Sequence, residues 1–162
     1  MGNWIYEQKT LDNGVRRIAR LDSVLPIAVG GGKNMKHAQL VFMDDPVSGY
    51  DCALHLGAGD FRVSTAIASR VGWKVDDREL VDILASRPEG EAPRLSLRDP
   101  RHRWFELRDA RLLTVSFRGN DYKRHKAMFD VSGLDRSQLD WDQQRYAEQY
   151  WERRERELQS GS

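Results

Sequence analysis

The sequence predicts a single α+β domain, a largely antiparallel sheet with a central helix pair and a long C-terminal helix. Three observations lead there. Residues 1–56 alternate apolar and polar side chains in short segments broken by turn-forming clusters, which is the pattern of half-buried strands. Residues 60–87 hold two segments that each begin with an aspartate and stop near Gly72 and Ser86, which reads as a pair of capped helices. From 135 to 158 the chain is dominated by Gln, Arg and Glu, with Leu139, Tyr146, Tyr150 and Trp151 forming one apolar stripe.

Composition supports one domain, 1–159, with a short tail at 160–162. A chain of 162 residues buries roughly 70% of its unfolded surface when it folds as one unit. Leu, Ile, Val and Phe make up 23% of the chain and charged residues 31%, so the core is modest and the surface heavily charged. The single cysteine, Cys52, excludes an internal disulfide framework and any multi-thiolate metal site. The opening Met-Gly-Asn-Trp-Ile-Tyr-Glu has neither the basic start nor the apolar core of a secretory signal, and no apolar run is long enough to span a bilayer. The expectation is a cytoplasmic protein with no membrane partner.

The elements follow in order. Segments 4–10 and 15–21 flank Asp12-Asn13-Gly14 and form a hairpin, because an Asn-Gly pair supplies positive φ cheaply. Further strands fall at 24–29 before Gly30-Gly31-Gly32, at 38–43 before the turn Asp45-Pro46-Val47-Ser48-Gly49, and at 50–56. Asp60 caps a helix over 61–71, and Asp76 with Glu79 makes a capping box for a second helix to Ser86. A loop containing Pro88, Gly90 and Pro93 leads into a strand meander over 94–118, with strands at 94–98, 104–108 and 112–118. Asp121 then caps a short helix to Phe129, and the terminal helix runs 135–158.

Charge carries the functional signal. The net charge is only +1, yet residues 94–126 hold ten Lys/Arg against Asp99, Glu106, Asp109 and Asp121, interleaved with aromatic residues. A local excess of this kind attracts polyanions, and aromatic side chains among guanidinium groups give bases a surface on which to stack. Arg98, Arg101, Arg103, Arg108, Lys123, Arg124 and Lys126 are the candidate phosphate contacts, and Trp104 and Tyr122 the candidate stacking residues. The expected function is a small non-enzymatic binding protein that engages nucleic acid or a nucleoprotein complex through this basic-aromatic face.

Two alternatives come from other residues. His102 and His125 sit among the same cations, and two imidazoles titrating near neutrality could serve as the base and acid of a metal-independent ribonuclease. A protein-only inhibitor or adaptor would instead use the acidic 44–91 region or the terminal helix, with Tyr146, Tyr150 and Trp151 as partner anchors.

Other motifs fail on spacing or charge. Gly30-Gly31-Gly32-Lys33 has Ile27 and Asn34 where a P-loop needs Gly and Ser or Thr. Residues 64–83 follow the apolar spacing of a helix-turn-helix, but Arg78 occupies a core position. Asp76, Asp77, Glu79 and Asp82 would also repel phosphates from its recognition helix, so a plain packed helix pair is the reading. No two histidines stand at i, i+4, so no metal or cofactor is expected.

Overall fold

The computed structural model describes residues 1–30, 35–63, 69–88, 93–139 and 143–160, and of 143–151 it describes the backbone. Nine strands run through it: β1 (Ile5–Leu11), β2 (Gly14–Ile27), β3 (Lys36–Asp45), β4 (Gly49–His55), β5 (Ser69–Val75), β6 (Val81–Ser86), β7 (Arg94–Leu97), β8 (Leu112–Arg118) and β9 (Arg124–Asp130). Helix α1 (Pro100–Glu106) joins β7 to β8, and helix α2 (Gln143–Ser160) follows a 3-10 turn at Arg136–Gln138. The strands form one sheet in the order β1-β2-β3-β4-β7-β6-β5-β8-β9. Every pairing in it is antiparallel.

The sheet rolls up, so that β9 comes back beside β2. Backbone and side-chain bonds hold the seam: the Gly2 amide donates to the Ser132 carbonyl at 3.0 Å, and the Trp4 indole N–H to the Val131 carbonyl at 3.2 Å. Alternation then dictates the core, because successive side chains of a strand point to opposite faces. Ala19, Leu21, Leu40, Phe42, Cys52, Leu54, Val71, Trp73, Val75, Leu113, Val115, Phe117, Ala127 and Phe129 all face the inside. Helix α1 covers the end of the roll where β7 finishes and β8 begins. Its Trp104 is 1% exposed and meets Phe42 edge-on at 4.9 Å and Trp4 at 6.3 Å.

The α+β expectation is therefore corrected to a mostly antiparallel β fold with two short helices. No central helix pair exists over the described part of 60–87; β5 and β6 form a hairpin there, register Val71↔Ile83 and Trp73↔Val81. Asp76 caps no helix. It takes φ 51° in the β5–β6 turn and accepts the Arg111 and Leu112 amides at 3.0 and 2.8 Å. The strand expected at 104–108 belongs to α1 and the turn after it, where Arg103, Trp104 and Leu107 are buried at helical spacing and Pro100 opens the first turn. The helix expected at 121–129 is β9, whose His125, Ala127 and Phe129 share one face and Arg124, Lys126 and Met128 the other. The terminal helix is α2, 18 residues long, and not the longer element expected over 135–158. Residues 31–34, of the Gly30–Lys33 motif, and 64–68, of the helix expected over 61–71, lie outside the described residues.

The N-terminal hairpin turns on Asp12-Asn13, with Leu11 opposite Gly14. Gly14 takes the positive φ of 142° there, which a residue without Cβ does at no steric cost.

Among the described residues, no helix is long and apolar enough to cross a membrane.

Candidate functional site

The basic block does not form one face. Its residues divide between the α1 end of the roll and the β8–β9 hairpin.

At the α1 end part of the charge is internal. Arg103 is 6% exposed; its Nη2 lies 2.7 Å from Glu106, and its guanidinium carbon 5.5 Å from the centre of the Trp73 ring. Burial pushes the Glu106 carboxyl up, and the Arg103 charge opposes that shift. His102 approaches the same carboxylate, Nε2 to Oε1 3.2 Å. Burial first, and then the Arg103 charge, lower its pKa to about 4, so the ring is neutral at physiological pH. Trp104 lies in the core, edge-on to Phe42. Neither Arg103 nor Trp104 is placed to meet a phosphate or a base, which removes both from the expected face. Arg98 and Arg108 are exposed, Arg108 3.7 Å from Asp109. Arg101 lies over the Tyr50 ring at 5.0 Å.

The other group surrounds the turn between β8 and β9. Asp121 organises it: its carboxylate accepts the Gly30 amide at 3.0 Å, the Lys123 amide at 3.1 Å and the His125 ring nitrogen at 2.9 Å. These bonds, the Gly30 amide foremost, hold its pKa down at about 2. The His125 ring stacks on Phe117 at 5.7 Å. Tyr122 is 74% exposed at φ 64°, with the Arg62 guanidinium 4.7 Å from its ring centre. Lys123, Arg124 and Lys126 are all exposed.

His102 and His125 do not converge. α1 enters β8 at Leu112, whereas His125 pairs with Phe117 near the far end of that strand, a separation of roughly 17 Å along β8. Each imidazole is bound to its own carboxylate, Glu106 or Asp121. The acid–base pair of the ribonuclease reading is not assembled.

The register brings in cations that the sequence reading passed over. On the outer face, Arg118 of β8 stands directly opposite Arg124 of β9, Ser116 opposite Lys126, and Gly72 of β5 opposite Ser116. Arg70 and Lys74 flank Gly72 on that same face of β5. Arg118, Arg124 and Lys126 are exposed, and among the described residues none has an acidic group within ion-pair distance. Like charges directly opposite each other in a sheet are destabilising, so this pair costs the fold stability and gains no ion pair among the described residues. The alternation of Arg124, Lys126 and Met128 with His125, Ala127 and Phe129 was the available signal for the strand that displays it.

Tyr146, Tyr150 and Trp151, the expected partner anchors, lie in the part of α2 whose side chains are outside the described residues. Among the described residues no group of three or more His, Cys, Asp or Glu side chains could hold a metal ion. Comparison with protein-family models, with curated proteins and with solved structures gave no match to this chain.

Proposed function

We propose that the protein is a non-enzymatic binding protein that engages single-stranded nucleic acid through the outer face of β8 and β9 and the turn between them. One observation carries this reading: Arg118 and Arg124 face each other as direct cross-strand partners, and among the described residues no acidic group lies within ion-pair distance of either. Phosphates bridging such a pair convert a cost in the free protein into a gain in the complex. Lys123 and Lys126 extend the cationic strip. Tyr122, exposed and backed by Arg62, offers a flat ring at its end, where a base can stack without being read by hydrogen bonds. Binding of this kind tolerates many sequences and weakens steeply with salt.

The test is fluorescence anisotropy against labelled single-stranded RNA, single-stranded DNA and duplex DNA under a salt titration, with each strand checked for integrity afterwards. Salt-sensitive binding, weakened by Tyr122→Ala more for single strands than for duplex, supports the proposal. Unchanged affinity after joint substitution of Arg118, Arg124 and Lys126 by Ala overturns it.

A further inference from the structure

At the opposite end of the roll, α1 and the last turns of α2 enclose a pocket of about 500 Å³, a size suited to a small ligand. We infer that this pocket is a second, separate site that binds a small phosphorylated molecule through Arg101, Arg153 and Arg154.

The two walls come from different elements. Arg101 of α1 and Tyr50 of β4 form one, with the guanidinium carbon 5.0 Å from the ring centre. Arg153 and Arg154 of α2 form the other. Both α2 arginines are exposed, and neither lies within ion-pair distance of a described carboxylate, although Glu157 stands at the i, i+4 position from Arg153 where such a pair commonly forms. Three guanidinium groups from two elements around one concavity form a donor set for a multiply charged, multi-oxygen anion, because each presents a planar fork that matches phosphate oxygens in pairs.

The surroundings sharpen the choice. Arg103 lies in the wall with its Nη2 on Glu106 and adds positive charge there rather than a contact. Burial first, and then the Arg103 and Arg153 charges against an opposing Asp99, hold the neighbouring His102 in its neutral form. Asp99 and Glu157 also line the pocket. They work against a bare halide or a compact anion that would sit among all the charges, and they can accept hydrogen bonds from hydroxyl groups. The chemistry that fits both halves is a phosphate or pyrophosphate group on a small hydroxylated molecule.

Isothermal titration of the full chain with inorganic pyrophosphate, at low and constant ionic strength, tests the site by its anion alone. The expected result is saturable binding, weakened about tenfold or more in the Arg153→Ala, Arg154→Ala double variant, which removes two charge-assisted contacts. The two side chains are exposed on a helix outside the sheet, so far-UV circular dichroism and melting of the variant should match the parent. Arg124→Ala with Lys126→Ala should leave the titration unchanged, which separates this pocket from the nucleic-acid face. Absence of saturable binding overturns the inference. So does binding that survives loss of Arg153 and Arg154, or that disappears instead with Arg124 and Lys126. Citrate binding as tightly as pyrophosphate overturns the phosphate class.

Discussion

Arg118→Glu should raise the stability of the protein while lowering its affinity for nucleic acid. Arg118 and Arg124 end the β8–β9 ladder as direct partners on the outer face, and Asp121 nearby directs its oxygens to Gly30, Lys123 and His125 rather than to either guanidinium. At about 6 Å in water two unit charges repel by roughly 0.7 kcal/mol, and screening at physiological salt, with a Debye length of about 8 Å, cuts this to roughly 0.3 kcal/mol. Reversing one charge replaces that repulsion with an attraction of similar size. The expected gain is therefore about 0.7 kcal/mol, within the usual range for cross-strand charge pairs, and a rise in Tm of about 1–3 °C. Binding moves the other way. One phosphate contact is lost and a carboxylate is placed beside the strand, so affinity for single-stranded RNA should fall about tenfold or more at low salt. The salt slope should shrink by about one unit. Differential scanning fluorimetry and anisotropy on the same preparation read both quantities. The opposed signs matter, because a variant that merely misfolds loses both. A variant that is less stable by more than about 1 kcal/mol, or that binds as before, refutes the reasoning.

Trp104→Ala, in contrast, should cost about 3–5 kcal/mol of stability by removing a buried indole from the contact with Phe42 and Trp4; urea denaturation measures it, and the protein that remains folded should bind RNA as before. His102 has a folded pKa of about 4, below its ordinary value near 6.5, so between those pH values the unfolded chain takes up a proton that the folded chain refuses. Stability is thus retained above the window and declines as pH falls through it, and His102→Asn should flatten that part of a urea-midpoint profile recorded between pH 7 and 4. Asp121→Asn removes the negative charge that holds His125 and the Gly30 amide; the expected outcome is faster hydrogen exchange at Gly30 and Lys123, read by NMR, with the β8–β9 ladder itself still protected.

Local chemistry made parts of this fold legible and hid others. The first hairpin was readable because its turn and its alternation lie within about twenty consecutive residues. Asp76 was not, since a short carboxylate accepting backbone N–H groups serves a helix cap and a strand turn alike. What decides between them is the partner, and the Arg111 and Leu112 amides are 35 and 36 positions away. Asp121 misled in the same way: it satisfies Lys123 two residues on, as a turn residue does, and Gly30 across the roll. At α1 the spacing of Trp104 and Leu107 fitted a helix, but choosing it over a strand required knowing that both are buried. Charge was legible as a count. Which cations share a surface depends on register, and Arg118 meets Arg124 only because the turn between them has its particular length.

The count itself overstates the surface. Ten Lys/Arg fall in 94–126, yet Arg103 is spent on Glu106 inside the roll and Arg94 on Asp51, each side chain of that second pair being 17% exposed. Arg98, Arg101, Arg108 and Arg111 belong to the α1 end, away from the hairpin. That leaves Arg118, Lys123, Arg124 and Lys126 close enough together to contact one strand at once. At about 0.7 counterions released per phosphate on single-stranded nucleic acid, four contacts give a log–log salt slope of about −3, whereas a face using the whole block would give about −7. A measured slope near −3 that falls towards zero when those four residues are replaced by Ala identifies the hairpin as the binding element. A slope near −7, or one unaffected by the replacements, means that cations outside the hairpin carry the binding, and the proposed face is wrong.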